Sequence, residues 1–250
     1  MMQALGALCH VFYGIVSLVL GIRLLLRGVR TKSAAERLLG LALLGVGGIG
    51  FLCMLVPAAI GPEVETPVTI AFSVVGRILV DSGMIAMLAF TVVVFRPGQP
   101  VARRLAMGLA GILVASVGAM FAAGDWWGRD VASVAFWAEM LGAQCVLAWA
   151  AGEAWHYRLK LRRREALGLV SDPEVQNRVL LWAGFGLAQF CMMAGVALAT
   201  CIFASTGRIF LGLDAVISAC GLSSAVCLWL AFWPPRAFRH WLNEIVSQST

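Results

Sequence analysis

Long runs of apolar residues, separated by short polar connections, dominate the chain up to about residue 233. A helix that crosses a membrane needs about 20 consecutive, mainly apolar residues. Seven stretches meet this requirement: approximately residues 4–26, 36–58, 67–95, 102–123, 131–157, 176–204 and 208–233. The pattern predicts an all-α polytopic membrane protein, a single seven-transmembrane-helix bundle over residues 1–250 with residues 234–250 as a cytoplasmic tail.

Residues typical of helix ends lie at several of these boundaries. Ser33 to Glu36 resembles a capping box before the second helix, and Thr66-Pro67 and Asp172-Pro173 each place a cap before a proline suited to the first helical turn. Pro234-Pro235 must interrupt the seventh helix, since proline removes a hydrogen-bond donor and clashes with the preceding turn.

Lysine and arginine are concentrated in alternate connections. Sixteen of the 19 lie on one predicted side: Arg23, Arg27, Arg30, Lys32, Arg37, Arg96, Arg103, Arg104, Arg158, Lys160, Arg162, Arg163, Arg164, Arg178, Arg236 and Arg239. Cytoplasmic loops carry this excess in membrane proteins. We therefore expect the N-terminus outside and the C-terminus in the cytoplasm.

Composition excludes an ordinary soluble domain, because 61% of the residues are hydrophobic and 13% are charged, against about 45–50% apolar in such domains. The net charge of +6 is explained by the cytoplasmic loops, so we expect contact with the lipid bilayer and none with nucleic acid. The seven cysteines lie in apolar stretches without a CxxC spacing, which favours small buried hydrophobes over disulfides or a zinc site.

Arg77 and Asp81 are the two charges deepest inside an apolar run, in the third predicted helix. A charge at that depth is unfavourable by about 2.5 to 3.5 kcal/mol and normally faces a partner, a cavity or a pathway. Their i, i+4 spacing places them on one helix face. Two interpretations remain open: an ion pair that fixes packing, or the lining of a site.

Other polar residues inside the predicted helices converge on the outer half of the bundle. Because such groups are tolerated where water or partners reach them, the set predicts a polar cavity open to the outside. Taken singly, each could instead bond a neighbouring helix. The candidate ligand-binding residues are Arg77, Asp81, Glu139, Asp214, His10, Tyr13, Gln144 and Gln189.

Cofactor-dependent and hydrolytic functions fit poorly. Zinc hydrolases of the ceramidase and progestin-receptor-like type need several histidines in their helices, whereas only His10 lies within a span here. The same count excludes a bis-histidine haem. Retinal needs a lysine in a span, and Lys32 and Lys160 lie in cytoplasmic connections. We expect no enzymatic activity, no cofactor and no metal.

A basic segment ends the fifth predicted helix and consists of Arg158, Lys160, Arg162, Arg163 and Arg164. It can be a plain topology signal. It can also bind anionic lipid headgroups on the cytoplasmic side, at about 1 kcal/mol per basic residue.

Two segments carry a local resemblance. Residues 168–182, which enter the sixth helix, and residues 232–241, which follow the seventh, resemble bacterial seven-helix membrane proteins of uncharacterised function, including the seven-helix sensory regions of histidine kinases. The topology alone resembles rhodopsins and G-protein-coupled receptors, without their inner sequence motifs. The resemblance implies a sensory role, with output through a separate signalling protein.

We therefore expect a receptor-like sensory module with an outward-facing polar cavity, in the inner membrane of a bacterium. The alternative is a small-solute or ion transporter, which can be proton-coupled and uses the same polar residues. Nothing in the sequence decides between them.

Overall fold

A computed structural model of the protein describes residues 2–60, 66–128, 130–169, 172–207, 211–236 and 238. These residues form eight helices. In chain order they are α1 (Met2–Arg30), α2 (Ala34–Val46), α3 (Ile49–Ile60), α4 (Pro67–Phe95), α5 (Pro100–Ala122), α6 (Val134–Ala166), α7 (Pro173–Thr206) and α8 (Leu211–Phe232).

Seven segments of the described chain are long and apolar enough to cross a membrane, which confirms the predicted all-α fold with seven spans. The second span differs from the prediction, because it is broken at Gly47 and Gly48 into α2 and α3. At 1.5 Å per residue, neither the 13-residue α2 nor the 12-residue α3 crosses a bilayer alone. Together they do.

Other helix bounds move by several residues. The first helix continues to Arg30 and the fifth span to Ala166, because their basic ends keep helical geometry beyond the apolar run. The predicted start of the seventh span at residues 208–210 and most of the predicted tail, residues 234–250, lie outside the described residues.

Three helix starts use the caps that the sequence indicates. Ser33 accepts a bond from the Glu36 backbone N–H at the start of α2, and Thr66 forms a reciprocal capping box with Thr69 before α4. Asp172 caps α7. The Glu36 carboxylate does not complete the predicted capping box with Ser33. It instead accepts a hydrogen bond from the Thr31 hydroxyl and pairs with Arg27 of α1.

The helices pack as a closed ring in the order α1, α2, α4, α6, α7, α8, with α8 returning to α1. Helix α3 packs on α1, α2 and α4, and α5 packs on the outside against α4 and α6. The centre is filled by fully buried side chains, among them Leu20, Leu43, Met84, Met87, Leu147, Phe185 and Leu228. The outer faces expose many large apolar side chains, as a bundle surrounded by lipid requires.

The two ends of the bundle differ in charge. We call the end where α1, α4, α6 and α8 finish the basic end; Arg27 pairs there with Glu36 and Arg96 with Glu153. The opposite end holds the starts of α4 and α6. The charge division behind the topology prediction is thus present in the fold, and the orientation in a membrane stays a prediction.

Candidate functional site

Arg77 connects three parts of the opposite end. It forms an ion pair with Glu139, which joins α4 to α6. It also donates to the backbone carbonyl of Trp127 over 3.2 Å and lies 3.8 Å from the sulfur of Met120 on α5. The Arg77 and Glu139 side chains are only 11% and 13% exposed. The guanidinium is therefore a buried junction between α4, α5, α6 and the loop before α6.

Asp81 lies one helical turn below Arg77 on α4 and is 6% exposed. Its Oδ2 has no hydrogen-bond partner among the described residues, although it is close enough to Arg77 and Glu139 to interact with both electrostatically. The ion pair of Arg77 is thus with Glu139 rather than with Asp81. We call these three residues the triad.

Two other predicted site residues form a separate pair. His10 on α1 interacts electrostatically with Asp214 near the start of α8, and its ring lies 6.0 Å from that of Phe51 on α3. Helices α1 and α8 lie across the ring from the contact of α4 with α6. The predicted set of carboxylates is therefore divided between two places.

A third polar group lies at the break between α2 and α3. Tyr13, Ser17 and Gln189 are at most 1% exposed, and Tyr13 is within reach of the other two. None of the three side chains is aligned for a hydrogen bond with a described residue, since the Tyr13 hydroxyl, the Ser17 hydroxyl and both amide atoms of Gln189 lack partners. A methyl group on Gly47 would lie 2.6 Å from the Tyr13 hydroxyl. We call Tyr13, Ser17 and Gln189 the buried trio.

Gln144 serves packing between α6 and α7. In the amide orientation that satisfies both groups, its nitrogen donates to the Phe190 carbonyl over 3.2 Å and its oxygen accepts from the Ala194 N–H over 2.7 Å. Of the eight candidate ligand-binding residues, Gln144 is thus the one with both polar atoms bonded to a neighbouring helix.

Glu153 forms the main polar contact between α4 and α6 at the basic end. Its Oε1 accepts from Arg96 over 2.7 Å and from the Trp149 indole over 3.0 Å. The buried carboxylate is directed toward α4, where Arg96 is the helix cap.

The basic segment belongs to the last three turns of α6, and the helix continues to Ala166. Lys160, Arg162, Arg163 and Arg164 are exposed. Arg158 is half-buried, and its guanidinium lies 5.6 Å from the ring of Trp155. Binding of lipid or protein by this segment stays a prediction.

Sequence reasoning missed several of these participants. Ser17 is a small polar residue in an apolar helix and gave no signal. The break did have one, because residues 45–50 contain four glycines (Gly45, Gly47, Gly48 and Gly50) inside an apolar span, and interrupted spans mark binding sites in transporters. The carbonyl of Trp127 is a backbone group and could not be found from residue types.

Within the described residues, no group of three or more His, Cys, Asp or Glu side chains is arranged to hold a metal ion. Comparison of the chain with protein-family models, with curated proteins and with solved structures found no match. A proposed function must therefore rest on the geometry of the triad and the buried trio.

Proposed function

We propose that the protein is a receptor-like sensory module of a bacterial inner membrane, which detects a proton or small cation at the triad. One observation carries the proposal. Helices α4 and α6 are joined by an ion pair near each end: Arg77 with Glu139, largely buried, and Arg96 with Glu153, in which the Arg96 side chain is 33% exposed. A change at the first pair therefore acts on the same two helices that the second pair holds.

The charges of the triad indicate the stimulus. One guanidinium and two carboxylates give a net charge of −1, and burial makes an uncompensated charge costly. A proton or a small cation neutralises the excess. Because Asp81 keeps an unbonded oxygen next to the ion pair, it is the group on which we expect the stimulus to act.

The distance between the two pairs suits transmission across a bilayer. From Glu139 to Glu153 the helix rises about 21 Å, and from Arg77 to Arg96 about 28 Å, at 1.5 Å per residue. The apolar core of a bilayer is about 30 Å thick. An ion pair has two discrete arrangements, formed and broken, which is the kind of element that can carry coupling between distant sites.

The output surface that we propose is the basic segment of α6, which follows Glu153 on the same helix. Exposed lysine and arginine side chains there can bind anionic headgroups or an acidic partner protein. A shift of α6 would move this surface relative to the other helices. A separate signalling protein would then read its position.

The test measures the basic end while the triad is changed. Spin labels at the exposed Val93 of α4 and Leu159 of α6, in a chain whose native cysteines are replaced, report the distance between the two helices in lipid nanodiscs. We expect the distance distribution to change between neutral and mildly acidic pH, or on addition of sodium. Asp81→Asn should abolish the change, since it removes the free carboxylate and keeps the ion pair.

Asp214→Asn is the matched control, because it removes a carboxylate at the same end of the bundle but outside the triad; its response should equal that of the wild type. A wild-type distance that does not depend on protons or sodium would contradict the proposal. So would an unchanged response in Asp81→Asn.

A transporter is the second candidate, and the buried trio favours it. Interrupted helices with polar groups at mid-membrane depth are the usual sites of solutes and coupling ions in secondary transporters. The break has this form, because Gly47 lies against Tyr13 and Ser17 and Gln189 is within reach of Tyr13. Proton or sodium flux into proteoliposomes, above that of empty liposomes and reduced by Tyr13→Phe, would favour the transporter; a sensor predicts no flux.

A further inference from the structure

A cavity of about 370 Å³ lies at the basic end, at the centre of the ring. Residues of α1, α2, α4, α6, α7 and α8 line it. On α1 the lining residues follow the spacing of one helix face from Leu20 to Arg27, and on α7 from Val175 to Trp182. Seven residues correspond to about 10 Å along a helix, so the cavity extends well into the bundle.

The rim of the cavity is positively charged. Arg23, Arg27 and Arg178 line it together with a single carboxylate, Glu36, which gives a net charge of +2. Arg27 pairs with Glu36 over 3.0 Å. The guanidinium of Arg23 lies 4.3 Å from the ring of Trp233. Arg178 is exposed and has no ion pair within the described part of the chain.

The walls below the rim are apolar and largely aromatic. Phe90, Phe95, Trp182 and Phe232 line the cavity, and their rings contact one another, with Phe90 and Trp182 5.4 Å apart. Trp182 is 4% exposed, and its indole N–H has no hydrogen-bond partner among the described residues. The cavity thus offers a cationic entrance and a hydrophobic interior.

We propose that this cavity binds a single-chain amphiphile with an anionic head, a carboxylate or a phosphate. Arg178 and Arg23 would bind the head, since charge-assisted hydrogen bonds from guanidinium suit both groups. The chain would lie against Phe90 and Trp182. A volume of about 370 Å³ is at the small end of ligand pockets, which favours one chain over the two of a bilayer phospholipid.

This site is distinct from the triad, which lies at the opposite end of α4, and the proposal does not depend on the sensory function. The basic segment of α6 does not contribute to it either, since Tyr157 is the α6 residue in the lining.

The experiment uses the full chain in nanodiscs of zwitterionic lipid and a bromine-labelled undecanoate as the probe, because bromine quenches tryptophan fluorescence at short range. We expect saturable quenching that decreases in Trp182→Phe. Arg178→Gln should weaken the apparent affinity about tenfold or more, the loss expected for a hydrogen bond to a charged group. Val175→Trp should weaken it by filling the entrance.

Matched controls come from α5, which begins at the same end but does not line the cavity. Arg104→Gln removes one exposed arginine, and Val101→Trp adds the same bulk at a side chain that is 65% exposed. Both should bind the probe as the wild type does. Since Arg178 and Val175 are exposed, their replacement is expected to leave the fold intact, which the fluorescence spectrum without probe checks.

Four outcomes would overturn the proposal. The first is equal quenching by the uncharged bromine-labelled undecanol, and the second is the same affinity in Arg178→Gln and Arg104→Gln. The third and fourth concern the source of the anion. Displacement of the probe by inorganic phosphate would indicate a site for free anions, and displacement by an anionic diacyl phospholipid in the nanodisc would indicate a site for bilayer lipid.

Discussion

Arg96 at the end of α4 donates from Nε to Oε1 of Glu153 on α6 over 2.7 Å. The same two helices are joined near their other ends by Arg77 and Glu139. Helix α5 packs on both from the outside, and the sulfur of its Met120 lies 3.8 Å from Arg77. The contact of α4 with α6 thus carries two ion pairs, one near each end.

The first prediction concerns the partner of Arg77. Arg77→Leu or Glu139→Leu alone leaves a buried charge without its partner and should lower the free energy of unfolding by about 3 to 5 kcal/mol. The double replacement should recover most of the loss. Unfolding in a denaturing-detergent titration measures all four proteins of the cycle.

The control for this prediction is the second cycle, Arg77→Leu with Asp81→Leu, which should give a smaller coupling energy because Asp81 has no direct ion pair with Arg77. A larger coupling of Arg77 to Asp81 than to Glu139 would mean that the ion pair within α4 is the dominant one.

The second prediction concerns the break between α2 and α3. A Cβ on Gly47 would overlap the Ser17 side chain and lie 2.6 Å from the Tyr13 hydroxyl, so Gly47→Ala should destabilise the protein by about 1 to 3 kcal/mol. Gly108→Ala on α5 is the matched control, because nothing lies within 4 Å of its Cβ position. The control should be neutral or stabilising by up to about 1 kcal/mol. Equal thermal midpoints for the two variants would show that the break tolerates a side chain.

The sequence was sufficient to predict the architecture, because features that indicate membrane-spanning helices recur along the chain. Apolar runs of membrane length and caps such as Thr66 and Asp172 are local properties, and the structure places helices where they predict. The sequence was insufficient to predict the break between α2 and α3, since mean hydropathy does not distinguish one long helix from two short ones. Only the glycines of residues 45–50 carried that information.

The polar residues were harder to place. Depth along each helix could be estimated, but the rotation of a helix and its neighbours depend on packing between distant segments. For this reason Glu139 could be assigned to the correct half of the bundle but not to Arg77 as its partner. The separation of His10 and Asp214 from the triad has the same cause, because it depends on the ring order of the helices.

The third prediction tests the buried trio. Both amide atoms of Gln189 lack a partner among the described residues, so Gln189→Leu should be neutral or stabilising, since it removes an unsatisfied buried amide. Gln144→Leu is the control of identical chemistry; it removes two bonds to α7 and should cost about 0.6 kcal/mol for each. A clear loss of thermal stability in Gln189→Leu would mean that its amide has a stabilising partner in the membrane.

The fourth prediction concerns orientation. The connection between α4 and α5 lies at the basic end, and the connection between α5 and α6 lies at the other. A reporter inserted at Gly98 should therefore be cytoplasmic and one at Gly124 external, by the positive-inside rule. Both glycines have positive φ and nothing within 4 Å of a Cβ, which makes them tolerant insertion points. The opposite pair of locations would invert the topology, and with it the proposed outer position of the triad.

The last prediction concerns the basic segment of α6. Replacing Arg162, Arg163 and Arg164 with glutamine removes three exposed charges beyond Glu153, at about 1 kcal/mol of headgroup attraction each. The amount of anionic lipid that co-purifies with the protein should fall, while the thermal midpoint stays unchanged because these side chains contribute little to packing. Replacing Arg103 and Arg104 on α5 is the control, since they are exposed at the same end but belong to a peripheral helix. An equal loss of anionic lipid in both variants would show that general surface charge attracts the lipid. Unchanged lipid binding in the α6 variant would leave this segment with its role in topology alone.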